Sequence, residues 1–266
     1  MSSRQQSLEI PSGDGHLAAS LHTPEPGRYA VAAPVVICAH GLTGTRVGSC
    51  YRFVRLARRL VDINIACLRI DFRGCGESSG QFLEVTPARL VEDLHAAVGA
   101  LGRAAGCDPT RLGIVASSFG AYTTALAIDQ LDAVRSLVFW APVAFPRHLV
   151  DRDMTPPAWA FLDKHGWIDH FGMRMGRGFI DGLTESNAPA RLAATPRPLL
   201  VMHGRGDKHV PFDQGQAYIV AMRAADGNST MIEIDADDHG MRSVVNNDRL
   251  LEETVTWCRR FLHPEP

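Results

Sequence analysis

The stretch IVASSFGA, Ile114 to Ala121, decides how this chain is read. It passes from an apolar, strand-like run through two adjacent serines into small residues that open a helical pattern. A strand that turns this sharply into a helix presents one side chain at the carboxyl edge of a sheet, with the first helix amides behind it. Such a turn strains the backbone at that residue and needs small neighbours two positions before and two after. Centred on Ser118 those neighbours are Ala116 and Gly120; centred on Ser117 they are Val115 and Phe119, which do not fit. Ser118 is therefore the candidate nucleophile. Ala116 stands where G-x-S-x-G has its first glycine, so the motif is weaker alone than with its partners.

A serine hydroxyl needs a base, and the base needs an orienting carboxylate. After the apolar run RPLLVMHG comes RGDKHVP, which puts Asp207 just past a strand end; after MIEIDADDHG comes His239, again past a strand end. The order Ser118, Asp207, His239 is the order of an elbow-type serine site. Asp237 and Asp238 compete as the acid, but neighbours on a tight loop seldom point at the adjacent side chain. His203 and His209 flank Asp207 and are expected to support its loop. Acyl transfer also needs donors for an oxyanion. The Phe119 amide follows the nucleophile at a helix N-terminus, where the dipole favours negative charge. The second donor is expected from the loop HGLTG, residues 40–44, with the Leu42 amide as candidate.

Outward from this core, short apolar runs alternate with helical patterns, the mark of a mostly parallel sheet flanked by helices in a single α/β domain. Ser7–Pro11 and Leu17–His22 read as a hairpin; Val35–Ala39, Ile63–Ile70, Leu112–Ala116, Ser136–Ala141, Leu199–Met202 and Met231–Ile234 complete about eight strands. Helices are expected at Tyr51–Leu60, from Thr86-Pro87 with a hydroxyl cap and first-turn proline, and at Phe119–Gln130, Phe212–Ala224 and Asp248–Leu262. The interval of about 145–195 is too long for one crossover. It is expected to be a helical cap over the sheet edge, with Trp159, Trp167 and Phe171 as candidate substrate-binding residues.

Hydrophobic residues make up 45% of the chain, charged residues 21%, and the net charge is -2, which gives no basic surface for nucleic acid. No run approaches the roughly 18 apolar residues of a membrane span, and MSSRQQSLEI lacks a signal core, so a cytoplasmic address is expected. Six cysteines are scattered without C-x-x-C pairs, so neither a disulfide framework nor a cysteine metal site is suggested.

HGLTG (40–44), DFRGCGES (71–78), ASSFG (116–120), HGRGDKHVP (203–211) and DDHG (237–240) together resemble the α/β-hydrolase family over nearly the whole chain. HGLTGTR and DFRGCGESSGQF are similar to the serine esterase branch with cinnamoyl and feruloyl esterases and monoacylglycerol-lipase-like proteins. The resemblance implies a triad of Ser118, Asp207 and His239, with Leu42 and Phe119 as oxyanion donors. Within DFRGCGES, Asp71 and Arg73 are expected to pin a loop as an ion pair. Arg46 and Arg52 of RVGSCYRF are surface residues or, at a pocket mouth, a hold for a carboxylate or phosphate. The expected activity is hydrolysis of a carboxylic ester on a small-molecule acyl substrate, through an acyl-serine and without metal or organic cofactor. A thioesterase or acyltransferase with the same triad is the alternative, and a non-hydrolytic or cyclising scaffold on the same fold is the third.

Overall fold

Alternate side chains of the central strands enter two different helix layers. In the computed structural model, which describes residues 4–25, 27, 31–183 and 187–263, Val35, Ile37 and Ala39 pack into one apolar cluster while Val36 and Cys38 pack into the other. This period of two is what a strand buried on both faces produces. In chain order the strands are β1 (Arg4–Ser12), β2 (Gly15–Thr23), β3 (Ala33–Ala39), β4 (Ala66–Ile70), β5 (Cys107–Ser117), β6 (Val134–Trp140), β7 (Trp167–His170), β8 (Met173–Gly176), β9 (Leu199–Gly204) and β10 (Ser229–Ile234). Eight of them form one sheet in the order β1-β2-β4-β3-β5-β6-β9-β10, while β7 and β8 pair separately. The β1–β2 and β2–β4 pairings are antiparallel and the rest of the large sheet is parallel. The fold is the expected flanked, mostly parallel sheet of an α/β-hydrolase.

The helices are α1 (Arg52–Asp62), α2 (Pro87–Ala100), α3 (Phe119–Ala127), α4 (Pro146–Asp153), α5 (Pro156–His165), α6 (Arg177–Asp181), α7 (Ala188–Ala194), α8 (Phe212–Ala224) and α9 (Val244–Leu262). Helices α1 and α9 cover one sheet face through Phe53, Leu56, Leu60, Leu250, Leu251 and Trp257. Helices α2, α3, α7 and α8 cover the other. Thr86 caps α2 by accepting the Arg89 amide at 3.2 Å, with Pro87 in the first turn. The strand expected from Ile63 begins only at Ala66, because Asn64 adopts a left-handed φ of 61° and the Ile63 and Ile65 amides both return to the Leu60 carbonyl. No helix among the described residues is long and apolar enough to cross a membrane.

The interval 145–195, of which 184–186 lie outside the described residues, is not wholly helical. Between α5 and α6 it forms the β7–β8 hairpin, closed by Phe171 and Gly172 with φ of 52° and 81°. Two successive positive φ values match the twist of a two-residue hairpin turn, which Asn-Gly signals and Phe-Gly does not. Asp169 steadies this turn by accepting the Gly172 amide at 2.9 Å.

The antiparallel edge carries a buried polar pair with a consequence for stability. Arg69 of β4 donates from Nη2 to His22 Nε2 of β2 at 2.9 Å. Burial, reinforced by Arg69 and Arg58, pushes the His22 imidazole down to about 4. Its folded value lies below its unfolded one, so the unfolded chain takes up the proton first. The stabilisation is complete above about pH 6.5 and is lost as pH falls towards 4, costing about 2–3 kcal/mol. Urea unfolding of the parent is expected to weaken over this window, and of His22→Gln to weaken less. An equal drop in both would contradict this assignment.

Candidate active site

The chain ends its central parallel strands in loops that converge on one place. Ser118 sits between β5 and α3 with φ 53° and ψ -118°, a strained conformation for a residue with a side chain. It is held there from both sides: its amide donates to the Trp140 carbonyl at 2.8 Å and its carbonyl accepts the Val143 amide at 3.1 Å. Space dictates the glycines around it. A Cβ at residue 120 would lie 2.5 Å from the Ala39 carbonyl oxygen, and one at residue 41 would lie 2.9 Å from Ser118 Cβ. The small-residue rule applied to the sequence thus has a steric cause, the close approach of the loop after β3.

His239, on the loop after β10, has Nε2 2.9 Å from Ser118 Oγ and Nδ1 2.6 Å from Asp207 Oδ2. Asp207, on the loop after β9, has a fully buried carboxylate whose Oδ1 accepts the His209 amide at 2.9 Å and the Val210 amide at 3.0 Å. Burial alone would raise this carboxyl, but the neighbouring His203 and His239 imidazoles and the Val210 amide overcome it and hold the group well below the usual carboxylate range. A charged Asp207 accepts the Nδ1 proton of His239, leaving Nε2 as acceptor for the Ser118 hydroxyl. Asp238 is engaged elsewhere: its carboxylate accepts the Arg242 amide at 3.2 Å.

Leu42 and Phe119 both line the cavity above Ser118, and among the described residues neither backbone amide has an acceptor. The Leu42 loop is fixed by His40, the first residue of HGLTG. His40 Nδ1 donates to the Gly41 carbonyl at 2.7 Å, and Nε2 accepts the Phe72 amide at 3.0 Å. Burial lowers the proton affinity of this ring, which suits the neutral tautomer those two bonds require.

The cavity measures about 930 Å³. Its buried lining is apolar, with Val143, Met175, Phe179, Ile180 and Leu183 supplied largely by the interval 145–195. Trp167 and Phe171 line it as expected candidates, Trp167 under the Arg174 guanidinium at 4.9 Å and Phe171 77% exposed at the hairpin turn. Trp159 does not line it. On α5, Ala158 and Phe161 share the cavity side, and Trp159 lies about 100° around the helix from Ala158, packed against the core beneath Arg147.

The two candidate anion-holding arginines are absent from this lining. Arg46 is paired with Asp71 and Glu77. Arg52, 4% exposed, donates to Asn247 Oδ1 at 2.8 Å and to the carbonyl of Gly240, the residue after His239, so it braces the histidine loop from behind. Asp71 and Arg73 do not pair with each other: Arg73 instead reaches Asp93 at 2.5 Å, also meeting Asp14 and Glu92. Such pairings join residues distant in sequence, which local motif reading does not reveal.

Residues 53–265 match the prolyl oligopeptidase family. A curated relative, the quorum-quenching protein AidA of Acinetobacter baumannii, is 34% identical in an alignment 133 positions long that covers 48% of this chain and 42% of AidA, so less than half of that relative's length is matched. Among solved structures, the ferulic acid-bound Est1E of Butyrivibrio proteoclasticus superposes with a TM-score of 0.79 at 19% identity, covering 94% of this chain and 98% of Est1E. A Mycobacterium tuberculosis puromycin-hydrolyzing peptidase superposes with a TM-score of 0.77 at 20% identity, covering 99% of this chain and 40% of the peptidase. At these identities the two structures share the fold.

Proposed function

Because the chain belongs to the prolyl oligopeptidase family, a family of α/β-hydrolases, we propose that it is a serine hydrolase cleaving carboxylic esters through an acyl-serine. The observation that carries this reading is the continuous hydrogen-bonded series from Ser118 Oγ through His239 to Asp207 at the cavity. In the proposed first step His239 Nε2 takes the hydroxyl proton as Ser118 Oγ attacks the acyl carbonyl. The Leu42 and Phe119 amides receive the negative oxygen, and Asp207 keeps the imidazole oriented. The protonated His239 then gives its proton to the departing alcohol. Water, deprotonated by the same ring, releases the acid and restores Ser118.

The apolar cavity favours an apolar or aromatic acyl group. Each buried methylene is worth about 0.8 kcal/mol, or about fourfold in kcat/KM. A panel of p-nitrophenyl esters from acetyl to dodecanoyl, with methyl ferulate, a butyryl thioester and butyryl p-nitroanilide, tests the reading. The expected order is rising kcat/KM with acyl length until the cavity is filled, with the ester ahead of the matching thioester and anilide. Amide cleavage is the second reading, favoured by the family's name, and a faster anilide would install it. A faster thioester would instead assign a thioesterase.

The segment 145–195 is proposed to act as a substrate cap. Trp167→Ala and Phe171→Ala are expected to raise KM several-fold for long or aromatic esters and little for acetate, whereas Trp159→Ala should leave the acyl preference unchanged. An unchanged preference in both cavity variants would reduce the segment to packing.

A further inference from the structure

We propose that His203 is a positioning residue for the candidate acid: its Nε2 proton is shared between the Val210 carbonyl and Asp207 Oδ2, aiming that carboxylate at His239 and moderating its hold on the His239 proton. This rests on the serine-hydrolase reading above. His203 lies on β9, fully buried, with Nε2 2.9 Å from the Val210 oxygen and 3.4 Å from Asp207 Oδ2. Its Nδ1 is buried without a hydrogen-bond partner. A buried N–H with no acceptor is costlier than a bare lone pair, so the proton belongs on Nε2, between the two oxygens. Helix α8 leaves room for the ring: a Cβ at residue 215 would lie 2.6 Å from His203 Nδ1, and Gly215 avoids that contact.

Asp207 thus faces two backbone amides on Oδ1 and two imidazoles on Oδ2. The other charged or titratable groups around this assembly include Asp153, paired with Arg152, Asp237, whose carboxylate lies against Gly206, and Arg242, which lines the cavity with its amide on Asp238. His209 has its ring 6.2 Å from that of His239, and Arg152 of α4 donates to the His209 carbonyl at 3.1 Å. Glu233, the β10 partner of His203 in register, is exposed and paired with Arg205. Removing the His203 donor leaves more of the Asp207 charge for the bond to His239. The His239 ring then holds its proton to higher pH, and the base form needed for attack appears later.

The test is the pH profile of kcat/KM with p-nitrophenyl butyrate, alongside fluorophosphonate labelling of Ser118 to confirm that each variant is folded. His203→Phe is expected to move the acid limb up by about half a pH unit or more. His203→Gln, whose amide N–H can serve the same acceptors, should return the limb close to the parent. If His203→Phe fails to fold, Gly215→Ala, whose methyl presses on Nδ1, should move the limb in the same direction. A limb that stays or moves down in the folded variant, or a Gln variant shifted as far as the Phe variant, overturns the proposal. If the parent itself is not labelled at Ser118, the hydrolase reading fails instead; a labelled parent with an unmoved limb removes only the part given to His203.

Discussion

Ser118→Ala is expected to lower kcat for a preferred ester by roughly 10⁶-fold, the scale of loss when the nucleophile of a serine site is removed, while KM changes little. The size follows from the mechanism. Without Oγ no acyl-enzyme forms, and only the free amides and the shape of the cavity remain to assist direct attack by water. Ser117→Ala is the internal control. Ser117 ends β5 opposite Trp140 in the sheet register, and it is the neighbouring Ser118 hydroxyl that His239 Nε2 meets. Its loss should cost no more than a few-fold. Comparable rates for Ser118→Ala and the parent, or a collapse in Ser117→Ala, would contradict the nucleophile assignment.

Asp207→Asn is expected to keep the fold and lose about 10⁴-fold in kcat. The hydrogen bonds explain why an almost isosteric change is so damaging. Oδ1 accepts the His209 and Val210 amides, so the oxygen of an asparagine must stay on that side. Its NH₂ then faces His239 Nδ1, where Oδ2 of the aspartate stood. Two donors cannot share that contact, so the ring must carry its proton on Nε2, and it can no longer accept from Ser118. Asp237→Asn and Asp238→Asn should each stay within a few-fold of the parent. An inactive Asp238→Asn beside an active Asp207→Asn would move the acid to the other position.

Local physics made much of the scaffold readable. Strands buried on both faces appear as uninterrupted apolar runs, as in Val35–Ala39 and Leu199–Met202, and the elbow announces itself through the small residues at 116 and 120. The strand ends that carry Ser118, Asp207 and His239 were legible for the same reason, and their side chains meet in the structure. The hairpin at 167–176 was not legible, since its turn uses Phe171 in a conformation normally signalled by asparagine or glycine. Nor was the orientation of Trp159, which depends on how α5 is rotated against the core. His40 showed only as the first residue of HGLTG because its bonds are to backbone groups; Arg52, a candidate anion holder in the sequence, instead braces the histidine loop because its partners lie far along the chain. Arg52 reaches 195 positions, to Asn247.

Peptide mapping after reaction with a fluorophosphonate tests the central claim most directly, because it asks which oxygen is activated without assuming a substrate. One adduct per chain is expected, on Ser118 in the peptide containing IVASSFGA, and it should vanish in Ser118→Ala but persist in Ser117→Ala. An adduct on Ser117, an adduct that survives in Ser118→Ala, or no adduct on the folded parent would contradict the account.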